Sequence, residues 1–463
     1  MNREVYYKNL DVLVEQSEDA IPIFVNEPEG RLTSFITSSN ISFARNLGLF
    51  KGEISRVILS DEEGKVSAIL FNFKEKERFL IGSKIASLPQ GVYSVKTALN
   101  TSEEEELVLG FCLESYKFEN YLQKEPNHKV KLCVSKYLNL KKINFFSKGE
   151  YFARNLINTP ACDLGPREFE KIISSFAAEH GSKLYSIKGK DLLTENFPLI
   201  YQVGKAASQE PRLLEFSWGD SDGYKLTIVG KGVCYDTGGL NIKPGFSMGN
   251  MKKDMGGAAS ALGLASIIMN LRLPISLRVI LPIVENSISA KSFRPGDIFR
   301  SRRGYSVEIN NTDAEGRLIL ADALAYADED SPDCLICMAT LTGAARVALG
   351  PEVTPFYCDN EKFSELLIRG GEESFDPVWR MPFYEPYESL LKSDVADLDN
   401  APSGGMAGSI TAALFLKKFV RRAAIFAHFD IFAWTQKSKP GRSKGAVMQG
   451  SRAIFSAIKP LLD

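Results

Sequence analysis

From about residue 166 onward, apolar segments with the length of strands alternate with segments of helical periodicity. Strand candidates at 225–231, 277–284 and 334–341 are separated by helical patterns at 257–271 and 316–327. Repeated strand and helix units imply a mostly parallel sheet, because parallel neighbours need a crossover connection that a helix supplies. The predicted fold class is therefore α/β, with a mostly parallel sheet flanked by helices in the larger, C-terminal part of the chain.

The first 125 residues predict a smaller α/β unit. A helix is expected to open at Ser102, with Glu105 completing a capping box. Strands are expected at 21–25, 65–73, 78–82 and 92–99. Because 463 residues exceed one ordinary core, we expect two domains: an N-terminal α/β domain (1–125) and a C-terminal domain that carries the chemistry (166–463).

The stretch between them, 126–165, is expected to be a linker that includes a connecting helix. Its first part, 126–146, is basic and irregular in pattern. Ser147 and Glu150 form a second candidate capping box, which predicts a helix that stops before Pro160.

Composition excludes several classes of partner. Lysine and arginine number 56 against 57 acids, a formal net charge of −1, so no global field favours nucleic acid or an anionic membrane. No apolar run reaches the roughly 18 to 20 residues that span a bilayer, and the polar start MNREVYYKNL does not resemble a signal sequence. Seven cysteines, an odd number, suit a reducing compartment. We expect a cytoplasmic protein with no membrane partner.

Two glycine-rich stretches, 229–257 and 311–318, concentrate acids and bases at predicted strand ends, the edge where α/β sheets bind ligands. Carboxylates crowded together raise one another's pKa, and divalent cations relieve that conflict. The stretches therefore predict a two-metal hydrolytic centre with oxygen ligands. The candidate residues are Lys231, Asp236, Lys243, Asp254, Asp313, Glu315 and Arg317.

General chemistry assigns roles to these residue types. Hard oxygen ligands suit magnesium, manganese and zinc. A lysine buried beside two cations can become neutral and ligate metal, whereas a second, protonated lysine can stabilise an oxyanion. An arginine can hold a carboxylate-like anion in its planar fork. Simple ion pairing is the structural alternative, and nucleotide binding is not indicated, because neither a phosphate loop nor a GxGxxG fingerprint is present.

These stretches closely resemble the signatures of the leucyl (cytosol) aminopeptidase family, peptidase family M17. NTDAEGRL (311–318) matches the hallmark octapeptide of that family without a change. YFARNLINTPACDLGP, MATLTGAA, KSDVADLDNAPSGGMAGSITAALFL and HFDI are also similar to family segments. The resemblance extends over most of the chain from about 150 to 450.

The resemblance implies a role for each matched residue. One metal would be held by Lys231, Asp236, Asp254 and Glu315, and the other by Asp236, Asp313 and Glu315. Lys243 and Arg317 fall on the two catalytic positions: Arg317 would hold a bicarbonate ion that serves as general base, and Lys243 would stabilise the gem-diolate. The positions near the substrate are Met251, Thr340, Leu341 and Gly343.

The implied activity is the release of N-terminal amino acids, preferably leucine or other apolar residues, from peptides with a free N-terminus. The implied cofactors are two divalent ions per subunit, manganese or zinc, with magnesium and cobalt as further candidates. The family also implies a homohexamer. Two alternatives stay open on the residues: a two-metal phosphoesterase, and a non-catalytic DNA-binding side role, for which the near-neutral charge offers no basic surface.

Overall fold

The computed structural model describes residues 11–15, 17–75, 77–123 and 129–462. The N-terminal ten residues, on which the expectation about a signal sequence rests, lie outside these ranges. The described chain divides into two compact units. One contains Lys148–Gln436 and continues from Lys444, and the other runs up to Ser147 and includes Lys437–Ser443. No helix in the described ranges is long and apolar enough to cross a bilayer.

The strands are β1 Leu13–Val14, β2 Ile21–Val25, β3 Arg56–Ser60, β4 Val66–Phe71, β5 Gly91–Val95, β6 Val130–Cys133, β7 Tyr185–Lys188, β8 Arg212–Gly219, β9 Tyr224–Gly230, β10 Gly232–Asp236, β11 Ile275–Asn286, β12 Ile298–Arg300, β13 Ser306–Glu308, β14 Cys334–Ala339, β15 Thr354–Cys358, β16 Val378–Met381, β17 Leu398–Asp399, β18 Ile425–Asp430, β19 Trp434–Thr435 and β20 Gly445–Ala446.

The helices are α1 Glu29–Leu32, α2 Ser38–Asn46, α3 Leu80–Ala86, α4 Thr101–Ser115, α5 Leu140–Asn158, α6 Pro166–Glu179, α7 Asp191–Thr194, α8 Pro198–Gly204, α9 Gly245–Met248, α10 Gly256–Asn270, α11 Glu315–Asp328, α12 Gly343–Leu349, α13 Glu361–Glu373, α14 Gly408–Lys417 and α15 Ser451–Ile458.

The N-terminal unit is built on a six-stranded sheet with the order β1-β6-β5-β2-β4-β3, in which only the β3–β4 pair is antiparallel. The strand predicted at 78–82 is wrong, because this segment enters helix α3. A Cβ on Gly82 would lie 2.2 Å from the carbonyl oxygen of Leu107 in α4. The glycine therefore serves close packing of two helices, which a short apolar run does not reveal.

Both predicted capping boxes are also wrong in position. Helix α4 is capped by Asn100 and Glu103. Ser147 lies inside α5, where its hydroxyl donates to the carbonyl of Ile143. Glu150 is buried and accepts from the guanidinium groups of Arg154 and Arg452, the latter 302 residues away. Residues 130–133 of the predicted linker are not irregular either, since they form β6 of the sheet.

The C-terminal unit has a nine-stranded sheet with the order β16-β15-β18-β14-β9-β11-β8-β7, and β10 pairs with β11. Strands β18, β14, β9, β11 and β10 all run parallel. Alternate residues of β14, namely Leu335, Cys337 and Ala339, join one buried cluster with α11, and the intervening residues face away from it. Helix α10 packs against β9 and β14. The predicted α/β class with two domains and a mostly parallel, helix-flanked sheet is confirmed.

Candidate metal and catalytic site

Strand ends and helix starts carry the charged residues of the candidate site. Lys231 follows β9, and Asp236 is the last residue of β10. Asp254 lies in the 3-10 helix Met251–Met255, which leads into α10, and Glu315 opens α11. Since β9 and β10 are both parallel to β11, their carboxyl ends meet at one edge of the sheet.

A glycine turn after β10 brings the chain back toward Asp236. Gly238 and Gly239 adopt φ angles of 87° and 64°, which glycine tolerates and most residues avoid. The Gly238 N–H and the side-chain amide of Asn286 both donate to Oδ1 of Asp236, each at 2.8 Å. The turn returns Lys243 to the same carboxylate.

Lys243 joins two of the acids. Its Nζ lies 2.8 Å from Oδ2 of Asp236 and 2.5 Å from Oδ1 of Asp313. Burial by itself lowers the pKa of Lys243, but the carboxylates of Asp236, Glu315 and Asp313 outweigh it, so the pKa is raised. Lys243 is therefore a firmly protonated cation within the cluster.

Lys231 joins the other two acids. Its Nζ lies 2.8 Å from Oδ2 of Asp254 and 3.0 Å from Oε1 of Glu315, and it donates to the carbonyl oxygen of Thr340 at 2.8 Å. Burial lowers the pKa of Lys231, but the surrounding carboxylates raise it by a larger amount, so the net shift of this pKa is upward. Only a stronger cation at these acids would displace its proton.

The charged forms of the acids are disfavoured by burial and by the neighbouring carboxylates. Burial, followed by the charge of Asp236, raises the pKa of Asp313 to about 6. The same two causes raise the pKa of Glu315 well above its ordinary value. Oε2 of Glu315 is buried without a hydrogen bond to any described residue. Ligand atoms of Asp236, Asp313 and Glu315 lie within 4.8 Å of one another, so this donor set fits a metal ion.

Arg317 is the third residue of α11 and is buried. Its Nη1 donates to the carbonyl oxygen of Asn400 at 2.6 Å, and its Nε has no hydrogen-bond partner among the described residues. Burial lowers its pKa to about 10, although Glu315 and two further acids oppose this. The guanidinium stays charged at neutral pH and keeps donors available.

All eleven residues predicted from the sequence line one cavity of about 270 Å³. Met251, Thr340, Leu341 and Gly343 are among them, beside the charged cluster. Thr340 donates through Oγ1 to Oδ1 of Asp254 at 2.8 Å and so holds that carboxylate in place. The structure therefore brings the predicted residues together, while their individual roles remain predictions.

Sequence reasoning missed two cations that line the same cavity, Lys253 and Arg346. Nζ of Lys253 lies 4.9 Å from the centroid of the Phe432 ring, and the guanidinium carbon of Arg346 lies 4.5 Å from it. Burial lowers the pKa of Lys253 to about 8. The position of Lys253 between Met251 and Asp254 was a usable signal. Arg346, on α12, and Phe432, after β18, offered none.

The fold and the site together define a class: an α/β protein whose parallel strands end at a buried cluster of carboxylates and lysines suited to metal ions. Comparison with known proteins identifies the family within this class. Residues 151–455 match the catalytic domain of the cytosol aminopeptidase family, and residues 38–134 match the N-terminal domain of M17 aminopeptidases. This chain belongs to the cytosol aminopeptidase family, as its sequence motifs predicted, and membership implies aminopeptidase activity.

Individual relatives agree with this assignment. The cytosol aminopeptidase of Encephalitozoon cuniculi is 39% identical over 70% of this chain and 68% of its own length. A probable cytosol aminopeptidase of Protochlamydia amoebophila is 33% identical over 98% of this chain and 97% of its own. The crystal structure of the Coxiella burnetii cytosol aminopeptidase is 39% identical, with a TM-score of 0.93 over 98% of this chain and 100% of that one.

Proposed function

We propose that this protein is a two-metal aminopeptidase that releases N-terminal amino acids from peptides. The observation that carries the proposal is the cluster of three buried acids, Asp236, Asp254 and Glu315, with the half-buried Asp313. Oε2 of Glu315 has no hydrogen-bond partner among the described residues, and the pKa of Glu315 is raised. Crowded acids of this kind are stabilised by divalent cations. Two such ions would supply Lewis-acid polarisation of the scissile carbonyl and a water of lowered pKa.

The ligands follow the family pattern. Lys231, Asp236, Asp254 and Glu315 would hold one ion, and Asp236, Asp313 and Glu315 the other. The donor set, carboxylate oxygens with one amine, supports manganese or zinc, with magnesium and cobalt as alternatives. Lys231 would act as a neutral ligand, its proton displaced by the ion.

Lys243 remains protonated in this proposal. Its raised pKa supports that state. A protonated amine beside the acids can donate a hydrogen bond to the carbonyl oxygen of the substrate and stabilise the negative charge that develops there. Lys243 would therefore contribute to the rate of the chemical step rather than to metal binding.

Arg317 would hold a bicarbonate ion, which supplies a proton acceptor at that position. The support is its buried guanidinium, whose Nε lacks a protein partner among the described residues. A planar guanidinium binds a carboxylate-like anion through paired hydrogen bonds. This contact would orient the anion toward the reacting atoms.

The substrate's free α-amine would reach the ions, and an acylated N-terminus would lose that contact. The resemblance implies leucine or another apolar first residue, and the apolar lining from Met251 and Leu341 supports it. The charged side chains of Lys253 and Arg346, which line the same cavity, do not support an apolar first residue. On the resemblance we also propose a cytoplasmic homohexamer that acts on peptides, without a membrane or nucleic-acid partner.

The test compares a leucyl dipeptide with its N-acetylated twin, in the presence of manganese or zinc. We expect metal-dependent release of leucine from the free peptide only, and a loss of about 100-fold or more in Asp254→Ala, because a ligand and the partner of Lys231 disappear. Asp222→Ala, at an exposed acid, is the matched control.

Equal cleavage of both peptides, or none by metal-loaded wild type, would reject the aminopeptidase mechanism. Turnover of phosphate esters in place of peptides would instead support the phosphoesterase alternative. DNA binding that weakens with salt and survives Lys243→Ala would support the non-catalytic role.

A further inference from the structure

The candidate cavity holds more positive charge than its acids can neutralise. Five cations and four acids line it. Each of the four acids lies within 3.0 Å of Lys231 or Lys243. In the described part of the chain no acid lies within the 4 Å of an ion pair from Lys253 or Arg346. These two cations therefore form no ion pair with the acids that would hold metal.

Lys253 and Arg346 share one aromatic neighbour, Phe432, at 4.9 and 4.5 Å from its ring centroid. Lys253 is only 3% exposed. Cation–π contact stabilises a positive charge, but by less than burial without a counter-ion costs it. Arg346, a half-buried like charge on the same ring, raises that cost further. An arrangement so unfavourable by itself is the kind that a functional site retains.

Arg346 has donors to spare. Among the described residues the only hydrogen bond of its guanidinium group runs from Nη1 to the carbonyl oxygen of Thr342, at 3.0 Å. A guanidinium carries five N–H donors. The bond to Thr342 holds the group on α12, and the remaining donors are free for a ligand in the cavity.

We propose that Lys253 and Arg346 form an anion subsite for a carboxylate of the peptide substrate, and that this carboxylate is the side chain of an N-terminal glutamate or aspartate. The proposal rests on the proposed aminopeptidase function and refines its substrate class.

The position of the subsite favours the first residue of the peptide. Lys253 adjoins Asp254, which would help hold the ions that receive the α-amine. Met251, on the same 3-10 turn, and Leu341 supply apolar lining that suits the methylene groups of a glutamate side chain. A leucine side chain would fill this lining but leave both cations unpaired, whereas a carboxylate would pair with them. The other carboxylate that a short peptide offers is its own C-terminus, so the test must separate the two sources.

The experiment compares glutamyl, glutaminyl and leucyl 4-nitroanilides with metal-loaded wild type, Lys253→Met and Arg346→Met. Glutamate and glutamine match in shape and differ in charge, and none of these substrates has a C-terminal carboxylate. We expect kcat/KM for the glutamyl substrate to exceed that for the glutaminyl one by about 10-fold or more, and each variant to remove most of the difference.

Lys252→Met is the matched control. Lys252 belongs to the same turn, but its Nζ donates to the carbonyl oxygen of Asn158 at 2.6 Å and it does not line the cavity. Lys252→Met should leave the ratio of glutamyl to leucyl kcat/KM within about 2-fold of wild type, because the charge that this substitution removes does not face the subsite.

A second pair of substrates, Leu-Leu and Leu-Leu-amide, tests the C-terminal source. A preference for the free dipeptide that both variants abolish, without a preference for glutamate, would overturn the first-residue assignment. Cleavage of leucyl substrates with no charge preference of either kind would overturn the subsite and leave the aminopeptidase function standing. Calorimetric binding of L-glutamate against L-glutamine gives a readout without turnover, and equal affinities would count against the subsite even if no substrate were cleaved.

Discussion

Asp236 illustrates how single residues are held in the candidate site. One of its oxygens accepts from Gly238 and Asn286, and the other faces Lys243. Both oxygens of Asp236 are therefore held by protein groups before any ligand binds, which limits the reorganisation of this carboxylate during a reaction. Lys253 shows the opposite condition, a buried charge without a hydrogen-bond or ion-pair partner among the described residues. Residues of both kinds line the same cavity. We assign residues held by protein partners, such as Asp236, to metal binding and catalysis, and we assign Lys253 to the selection of the substrate.

His428 provides a prediction at the residue scale. It lies in β18, fully buried, and burial lowers its pKa to about 4 from an ordinary 6.5. A lowered folded-state pKa means that the fold favours the neutral ring. This contribution to stability is complete above pH 6.5 and is lost as the pH falls through about 4. Between these limits the free energy of unfolding should drop by about 3 kcal/mol from this residue.

The measurement is urea unfolding of wild type and His428→Leu at pH 7 and pH 4.5. Acids that titrate over this range are common to both proteins and cancel in the comparison. The variant should lose less stability on acidification. An identical acid loss in both proteins would show that His428 is not the responsible group.

At the scale of elements, the first turn of α10 packs closely against the strands next to the site. A Cβ on Gly257 would lie 2.2 Å from the carbonyl oxygen of Met338 in β14 and 2.9 Å from the backbone nitrogen of Lys231. The first turn of α10 therefore packs directly against the strands, next to the ion pair of Asp254 and Lys231. Glycine is required here by space, since its φ is not in the left-handed region.

Gly257→Ala should consequently destabilise the protein by about 3 kcal/mol and reduce activity, because either α10 or β14 must move. Gly245→Ala is the control, since a Cβ there meets nothing within 4 Å. Thermal unfolding and kcat of both variants provide the check. A Gly257→Ala protein with wild-type melting temperature and activity would contradict the packing argument.

For the whole molecule, the site depends on chain segments that are distant in sequence. Folding brings four residues from distant segments together, because parallel strands end at one edge of a sheet. They are Lys231, Asp313, Arg346 and Phe432. A ligand that binds this site therefore binds the folded state and not the unfolded chain. Metal binding should then stabilise the entire C-terminal unit through linkage.

We expect a chelator to lower the melting temperature by about 5 to 10 °C, and added manganese or zinc to restore it, since occupancy at about 100 times Kd contributes roughly 2.7 kcal/mol. Glu315→Gln should blunt the response, because it removes a shared ligand. Glu372→Gln, at an exposed acid, is the control. A melting temperature that ignores chelator and metal would argue against a metal centre.

The sequence by itself determined the fold class, the family and eleven of the residues that line the cavity. It could do so because strand and helix periodicities are local, and because motifs such as NTDAEGRL keep their chemistry within a few positions. It was wrong where a local pattern competed with distant contacts. Helix α3 at 80–86 packs against α4, and Glu150 pairs with Arg452 across the chain.

Only the tertiary structure decided which charges have no ion-pair partner among the described residues. Among the cavity's cations, Lys231 and Lys243 pair with acids, while Lys253 and Arg346 meet at Phe432. The sequence shows five basic residues in three segments and cannot rank them, because ion pairing and burial depend on distances between segments that only folding creates. The proposed preference for acidic first residues comes from that part of the structure.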